Sequence, residues 1–243
     1  MEKIFTLFCL ILICLFFSQT IFAQDKYNKN VADTERFSAG VLIGFNNAQI
    51  DGDFQKGFDK FGLTGGIRGI ARINSRLELN IEMLYSSKGS QIFSEGFQFS
   101  ANPKRDRIID LNYVDAPIYF KYLLKDLATT WHVELGGIYS RLINTEITEI
   151  LVNPSESFSY ENIAADFDRN DIAVFLGFGH MWKNGFAING RYAYSIKKFY
   201  RNTGGGTGIS DPEEVQFLRN YYYSLNLSYT IFQRALKNNK RKR

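Results

Sequence analysis

Residues 221–232 read YYYSLNLSYTIF and decide the fold class, because apolar and polar side chains alternate along them. The odd positions hold Tyr221, Tyr223, Leu225, Leu227, Tyr229 and Ile231, and the even positions include Ser224, Asn226, Ser228 and Thr230. A period of two is typical of a β-strand with one apolar and one polar face. Residues 186–197 alternate in the same way, with Arg191 and Lys197 on the polar face.

Six further segments share this alternation towards the N-terminus. They span about residues 37–46, 63–73, 77–86, 114–122, 131–140 and 172–182. The composition agrees, since 14 Tyr and 22 Phe accompany only 4 Pro, a balance that favours strands over helices. The sequence therefore predicts an all-β fold of eight antiparallel strands.

The connections between these strands alternate in length. Those near residues 74–76, 125–130 and 183–185 are short, and the last contains the tight-turn pair Asn184-Gly185. The other four, about residues 48–60, 87–107, 147–170 and 200–218, are long. This alternation is typical of an outer-membrane β-barrel with short periplasmic turns and long extracellular loops. Trp131 and Trp182 flank short turns, so we expect both in an aromatic girdle at the periplasmic interface.

The first 23 residues have the pattern of a secretory signal peptide. Lys3 precedes an apolar run from Ile4 to Phe17, and cleavage is expected after Ala23. Because both cysteines lie in that run, disulfides, thiol catalysis and cysteine-rich zinc sites are excluded from the mature chain. We predict four parts: a signal peptide (1–23), a periplasmic N-terminal segment (24–36), the barrel (37–232) and a basic periplasmic tail (233–243). The tail contributes +6, and because the net charge of the chain is +4, the rest has a net charge of −2. The six charges are Arg234, Lys237, Lys240, Arg241, Lys242 and Arg243.

The charges on the polar faces distinguish a membrane barrel from a soluble, lipocalin-type barrel that encloses an apolar ligand. Four cations and four anions occupy the middle of the strands: Arg68, Arg72, Lys121 and Arg191, and Glu78, Glu82, Asp115 and Glu134. A water-facing surface tolerates any charge excess, whereas buried charges in a narrow lumen must be paired. An eight-stranded barrel is also just wide enough for side chains to fill it. We therefore predict a salt-bridged, plugged lumen in a barrel of the cell outer membrane.

The stretch Leu111–Tyr122, LNYVDAPIYFKY, resembles the fourth-strand signature of the PorT-like family of outer-membrane barrels. An acidic residue stands two positions before a proline, and apolar residues and Lys-Tyr follow. The early glycine-rich strand and the aromatic-ended final strand are similar too, so the resemblance covers nearly the whole mature chain. It implies an outer-membrane barrel, and the family takes its name from a component linked to protein secretion across that membrane.

Several short patterns suggest chemistry but have a more ordinary interpretation. His132-x-Glu134 is a fragment of zinc-deaminase signatures, but no cysteine pair follows, so structural pairing in the lumen is expected. His180 is predicted on the opposite, lipid-facing side. The two histidines therefore do not share a site, and a histidine-based catalytic triad is not expected. Asp51-Gly52-Asp53 lacks the distal glutamate of a calcium loop and is interpreted as a turn. The glycine-rich residues 204–208 lack the Lys-Ser/Thr of a phosphate loop and are interpreted as a linker.

The loops and tail carry the remaining candidates for binding. Six loop aromatics exceed what a solvated loop needs: Phe93, Phe97, Phe99, Phe158, Tyr160 and Phe167. We expect them to pack among themselves above the barrel, with contact to a partner as the alternative. For the tail, solvated disorder is the simplest interpretation, with anionic headgroups or an acidic partner as the alternatives.

Three functions remain open on the sequence. The first is a non-enzymatic structural, interaction or secretion-accessory barrel, which contacts outer-membrane lipid and envelope or secretion-machinery proteins and needs no nucleic acid, cofactor or metal. The second is a transport barrel for small solutes or apolar ligands. The third, a membrane-embedded enzyme, needs polar groups that converge at one rim.

Overall fold

Nine β-strands make up most of the described chain. The computed structural model describes residues 36–53, 58–92, 105–125, 129–151, 163–201 and 215–231. The strands are β1 (Phe37–Asp51), β2 (Lys60–Arg72), β3 (Leu77–Ile92), β4 (Arg105–Leu123), β5 (Thr130–Leu151), β6 (Asn170–Met181), β7 (Phe186–Ser195), β8 (Tyr200–Arg201) and β9 (Phe217–Thr230). One short 3₁₀ turn, Ala164–Asp166, lies between β5 and β6.

Eight of the strands form a closed antiparallel ring. Each of β1 to β6 pairs with the next strand, β7 pairs with β9, and β9 returns to β1, with Gly40 opposite Thr230 and Asp51 opposite Arg219. The two-residue strand β8 pairs only with one end of β9. The predicted eight-stranded antiparallel barrel is therefore confirmed. Among the residues that the structure describes, no helix is long and apolar enough to span a membrane.

The three short connections lie together at one end of the ring, which we call the turn end. In the first, the Asn74 side-chain oxygen accepts hydrogen bonds from the backbone amides of Arg76 and Leu77, each at 2.9 Å. In the third, Gly185 adopts a φ of +88°, a left-handed conformation that glycine reaches without steric cost. Both are the tight turns that the sequence predicts. The other connections lie at the opposite end, the loop end.

Several strands are longer than the sequence pattern indicates. The expected long loops began near Ala48, Ser87 and Ile147, but β1 continues to Asp51, β3 to Ile92 and β5 to Leu151. The last strand also differs, since β9 spans Phe217–Thr230 and does not reach the predicted end at residue 232. These segments do not alternate between polar and apolar residues, so their sequence does not indicate strands. Pairing with neighbouring strands at the loop end nevertheless supplies their backbone hydrogen bonds.

The extra length produces a three-stranded extension, which we call the tongue, formed by residues 87–92 of β3, 105–111 of β4 and 144–151 of β5. Pairing of β2 with β3 reaches only Ser86, and pairing of β5 with β6 ends at Arg141. Pairing of β4 with its two neighbours continues to Ile92 and Leu151. At about 3.3 Å per residue, the part of β3 in the tongue runs roughly 20 Å beyond Ser86, the last residue of β3 that pairs with β2.

The outer surface of the ring is apolar, as the alternation predicts. Phe37, Val41, Ile43 and Phe45 of β1 are exposed, and every long strand presents equivalent residues. Near the turn end, the Trp131 ring stacks on Phe178 with centroids 5.0 Å apart, and His180 lies edge-on between Trp131 and Trp182. This is the predicted aromatic girdle, and it includes His180.

Hydrogen-bonded polar groups border the apolar surface on the loop side. The Tyr139 hydroxyl and the Arg141 guanidinium both donate to the Asn170 side-chain oxygen, at 2.8 and 2.7 Å. From Trp131 to Tyr139 the strand rises about 26 Å, which at the usual tilt of roughly 40° corresponds to a band about 20 Å tall. That height is close to the hydrocarbon thickness that membrane barrels match.

Candidate functional site

The interior of the ring holds a network of charged side chains centred on Arg191 of β7. Its Nε donates to Glu134 Oε2 at 2.7 Å. The two meet above Gly177, which pairs with both residues; a Cβ there would lie 3.1 Å from each of the two side chains. Glycine at this position therefore allows Glu134 of β5 and Arg191 of β7 to meet over β6.

Glu82 of β3 is the second carboxylate of the centre. Arg191 donates to both of its oxygens, at 2.8 and 3.0 Å, and Arg68 Nε donates to Oε1 at 2.8 Å. The Tyr119 hydroxyl donates to the same oxygen at 2.6 Å and accepts from Arg191 at 2.9 Å. The side chains of Glu82 and Glu134 have no exposed surface. The bonds to Glu82 replace the water that an ionised carboxylate requires, whereas Glu134 Oε1 has no hydrogen-bond partner among the described residues.

A second group of ion pairs lies nearer the turn end. Arg72 is 3.3 Å from Glu78, and Lys121 approaches the same carboxylate at 3.9 Å. His132 is buried and lies 2.7 Å from the Asn189 side-chain oxygen and 3.5 Å from Glu134. The histidine thus participates in lumen pairing, in agreement with the structural interpretation of the His-x-Glu pattern.

The third group, towards the loop end, contains a buried cation that the sequence interpretation missed. Lys88 Nζ lies 2.9 Å from Asp115 Oδ1 and 3.3 Å from Ser140 Oγ. It also sits 4.8 and 4.7 Å from the ring centroids of Tyr113 and Tyr222. Residue 88 lies beyond the alternating segment 77–86 and so within a predicted loop, although it shares the parity of Glu78 and Glu82.

Asp171 is another buried charged residue that the sequence pattern does not indicate. It is buried, accepts a hydrogen bond from Ser195 at 2.6 Å and another from Asn220 at 3.3 Å. It stands two residues before Ala173, which was placed on the inner face, so extending that strand by one residue would have found it. The eight predicted lumen charges and these two make five cations and five anions.

Apolar side chains close the lumen on both sides of the charged layers. At the loop end, Phe167, Phe199, Val215 and residues of β1, β4, β5 and β9 form a buried cluster that we call the cap. At the turn end, Leu123, Met181 and Ala187 form a smaller one. Between the layers, a cavity of about 20 Å³ near Asp115 and Arg191 is large enough for about one water molecule.

The remaining sequence candidates have structural roles where they can be placed. Phe167 packs against Phe199 with ring centroids 5.1 Å apart, and the other five loop aromatics lie outside the described residues, so the packing of the six among themselves stays a prediction. Gly52 forms a turn with a φ of +97°, and Asp53 is buried beside Gln49 and Arg107. Residues 204–208 and the tail also lie outside the described residues. Within the described ranges, no group of three or more His, Cys, Asp or Glu side chains could hold a metal ion.

A closed ring with an apolar outer band, an aromatic girdle and a filled, charged interior defines a transmembrane β-barrel. The model of the family described as outer membrane protein beta-barrel domain matches residues 22–201, so the chain belongs to that family. The protein is located in the cell outer membrane.

Three solved structures illustrate the similarity. Ail, the attachment invasion locus protein of Yersinia pestis, is 11% identical, with 81% of this chain and 100% of that chain covered and a TM-score of 0.41. Neisserial surface protein A is 16% identical, with 80% and 99% covered and a TM-score of 0.41. The outer membrane protein OprG from Pseudomonas aeruginosa is 10% identical, with 82% and 95% covered and a TM-score of 0.36. No curated protein sequence matches this chain.

Proposed function

We propose that this protein is a non-enzymatic, non-conducting barrel that acts through the surfaces it displays on either side of the membrane. The observation that carries the proposal is the bridge from Glu134 through Arg191 to Glu82 across the middle of the lumen. With the cap on one side and the turn-end cluster on the other, a solute would have to break buried ion pairs and displace apolar packing. Breaking a buried ion pair costs about 3–5 kcal/mol.

The tongue is the displayed surface that the described residues support best. It extends beyond the polar boundary of the apolar band, and its outer side presents exposed polar residues such as Asn144, Glu146 and Thr148. The similarity of residues 111–122 to the PorT-like signature supports a role as a secretion accessory or envelope-assembly protein. Envelope or secretion-machinery proteins would contact the tongue, the long loops or the basic tail, and outer-membrane lipid would surround the barrel.

The polar groups of the lumen favour a structural role over catalysis. The Ser140 hydroxyl lies beside Lys88, but that lysine is held by Asp115 and is buried beneath the cap. A general base must be free to accept the nucleophile's proton, and a lysine that is ion-paired as an ammonium is not.

Single-channel conductance of the refolded, signal-free protein in planar bilayers tests the plugged lumen. Migration on gels that changes on heating would first prove that the barrel has formed. We expect no steady conductance from the wild type and stepwise conductance from an Arg191→Ala/Glu82→Ala variant that removes the centre of the network. Stable ohmic steps from the wild type would refute the plug.

Site-specific photo-crosslinking in intact cells tests the displayed surface. A crosslinker at Thr148 should give a discrete protein adduct, whereas one at the lipid-facing position Ile43 should not. Equal adducts at both positions, or none at Thr148, would contradict an interaction role for the tongue.

A transport barrel for small solutes or apolar ligands is the alternative, and one feature favours its apolar form. A hollow of about 750 Å³ opens on the outer surface, where Gly190 leaves a gap between Phe178, Tyr192 and Leu225. Saturable uptake of a fluorescent fatty acid that a Gly190→Phe variant abolishes would support it.

A further inference from the structure

Two cations lie on the outer face of the barrel, towards the loop end of β7 and β9. Lys198 Nζ is 3.8 Å from the centre of the Phe217 ring, and the guanidinium carbon of Arg219 is 5.6 Å from the same point. Arg219 also donates to the Tyr194 hydroxyl. Phe217 and Arg219 belong to the outward-facing row of β9, together with Tyr223. Aromatic contacts therefore hold both cations at the outer surface.

Neither cation has a carboxylate within ion-pair distance among the described residues. The neighbouring Lys197 differs, because it forms an ion pair with Asp168. Asp51 pairs with Arg219 across the seam of β1 and β9, but no ion pair joins these two described side chains. With Asp51 counted, Lys198 and Arg219 still leave one positive charge in excess. An anionic group at this place could form charge-assisted hydrogen bonds with both cations.

An apolar hollow of about 750 Å³ lies on the same wall, nearer the turn end. It opens at Gly190, which has no side chain between its strand partners Phe178 of β6 and Leu225 of β9. Tyr192 and Tyr223, whose ring centroids are 4.9 Å apart, also line it. Ligand pockets in proteins have volumes of about 300–1,000 Å³, so the hollow is large enough for a lipid chain.

The cations and the hollow are close enough for one molecule to contact both. Tyr223 is four residues from Arg219 along β9, or about 13 Å at 3.3 Å per residue. In a phospholipid only a glycerol group separates the phosphate from the acyl chains. A lipid with its phosphate at Arg219 would therefore place the first part of a chain at Tyr223. Its headgroup would point towards the loop end and its chains towards the middle of the apolar band, as in the leaflet on that side.

We propose that this wall binds one phosphate-bearing membrane lipid, with its phosphate on Lys198 and Arg219 and an acyl chain in the hollow at Gly190. The guanidinium presents planar donors that match phosphate oxygens, and the ammonium adds a second positive charge. The lipid stays in the membrane, so the site needs no path through the lumen. It is also separate from the tongue and goes beyond the proposed function.

Native mass spectrometry of the refolded, signal-free protein in detergent tests the ligand class by counting bound lipids. The ligands are dioleoyl phosphatidic acid, dioleoylglycerol, which lacks the phosphate, and glycerol phosphate, which lacks the chains. We expect one phosphatidic acid per barrel with a Kd at least tenfold lower than that of dioleoylglycerol, because hydrogen bonds to charged groups are among the strongest. Equal Kd values for these two lipids, or glycerol phosphate that binds as tightly as phosphatidic acid, would overturn the proposal.

The headgroup site is tested by Lys198→Gln/Arg219→Gln, which should raise the Kd of phosphatidic acid at least tenfold and leave that of dioleoylglycerol unchanged. Lys183→Gln removes an exposed cation at the turn end and is the matched control; it should change neither Kd. Migration on gels that changes on heating shows which variants form a barrel. If the double variant does not, Lys198→Gln alone takes its place, since Lys198 lies beyond the end of β7. A folded variant that binds phosphatidic acid as the wild type does would contradict the site.

The chain site is tested by Gly190→Leu, which fills the hollow and should raise the Kd of both lipids at least tenfold. Apart from its chain neighbours, a Cβ at Gly190 would meet only the Phe178 carbonyl oxygen, at 3.9 Å. Gly137→Leu is the matched control, because Gly137 also faces outwards but lies outside the hollow, and a Cβ there would meet only the Ala173 carbonyl oxygen, at 3.7 Å.

Three results from these glycine variants would refute the proposal. The first is wild-type lipid binding by a folded Gly190→Leu variant. The second is equal weakening by Gly137→Leu, since it would mean that any part of the outer wall serves. The third is a Gly190→Leu variant that loses dioleoylglycerol but keeps phosphatidic acid, because the hollow would then hold an apolar ligand unrelated to the cations.

Discussion

Arg191→Met is the substitution that tests the lumen network most directly. It removes three hydrogen bonds to carboxylates, two to Glu82 and one to Glu134, and a fourth to the Tyr119 hydroxyl. Methionine keeps most of the volume, so the loss is electrostatic more than steric. Glu82 would keep Arg68 and Tyr119, whereas Glu134 would retain only the contact with His132 at 3.5 Å.

The expected loss of stability is about 4 kcal/mol, because removing one partner of a buried ion pair costs about 3–5 kcal/mol. Urea unfolding of the protein refolded into lipid vesicles, followed by the fluorescence of Trp131 and Trp182, measures it. Adding Glu134→Gln should recover part of the loss, since the carboxylate left without its cation is then neutral. Lys183→Met, at an exposed turn, is the control and should change stability by less than about 0.5 kcal/mol.

The structural reasoning would be refuted by an Arg191→Met variant that loses less than about 1 kcal/mol. It would also be refuted if Glu134→Gln made the variant less stable. Either result would mean that water solvates Glu134 and that the lumen is not a dry network.

Two further substitutions test the backbone and the cap. Gly89→Ala should lower stability by about 2 kcal/mol or more, because Gly89 has a φ of +139° and a Cβ would lie 1.8 Å from the Ile109 carbonyl oxygen. Urea unfolding measures the loss, and an unchanged unfolding midpoint would contradict the prediction. Asp168→Asn tests the ion pair between Lys197 and Asp168. The hydrogen bond from the Lys197 ammonium holds the pKa of the Asp168 carboxyl below its ordinary value. Because that pKa is lowered in the folded state, the stabilisation should be present above about pH 4, the pKa of an unfolded aspartate, and be lost as the pH falls through the folded-state pKa. The wild-type advantage in urea midpoint over Asp168→Asn should therefore be small at pH 7, as for a half-exposed pair, and vanish at low pH; an advantage that grows on acidification would contradict this.

The barrel and its lumen charges were predictable because one physical constraint governs both. A strand between lipid and a narrow interior must alternate apolar and polar side chains, so the period of two identifies the faces of each strand and places Arg191 of residues 186–197 and Glu134 of residues 131–140 inside. Trp131 and Trp182 could be located for a similar reason, since the amphipathic indole ring favours the interface between lipid and water.

The loop end was less predictable because that constraint stops at the membrane boundary. Beyond the membrane boundary, both faces of the tongue can be polar, so residues 87–92 and 144–151 lack the alternation and are predicted as loops. For this reason the sequence pattern does not place Lys88 in the lumen. The hydrogen-bond partners inside the lumen were also not predictable, since the sequence shows the sign of each charge but not which group it contacts. That depends on strand register and on whether a neighbour such as Glu78 is 3.3 or 3.9 Å away.

The unequal strand lengths also set an order of assembly. The β4–β5 hairpin is the longest in the ring, with strands of 19 and 22 residues joined by a short turn. Its contacts are local in sequence, so little chain entropy is lost in bringing them together. Closure of β1 against β9 joins the two ends of the barrel sequence and carries the largest entropic cost. We therefore expect β4 and β5 to form first as a template to which strands are added on both sides, with the seam between Gly40 and Thr230 forming last.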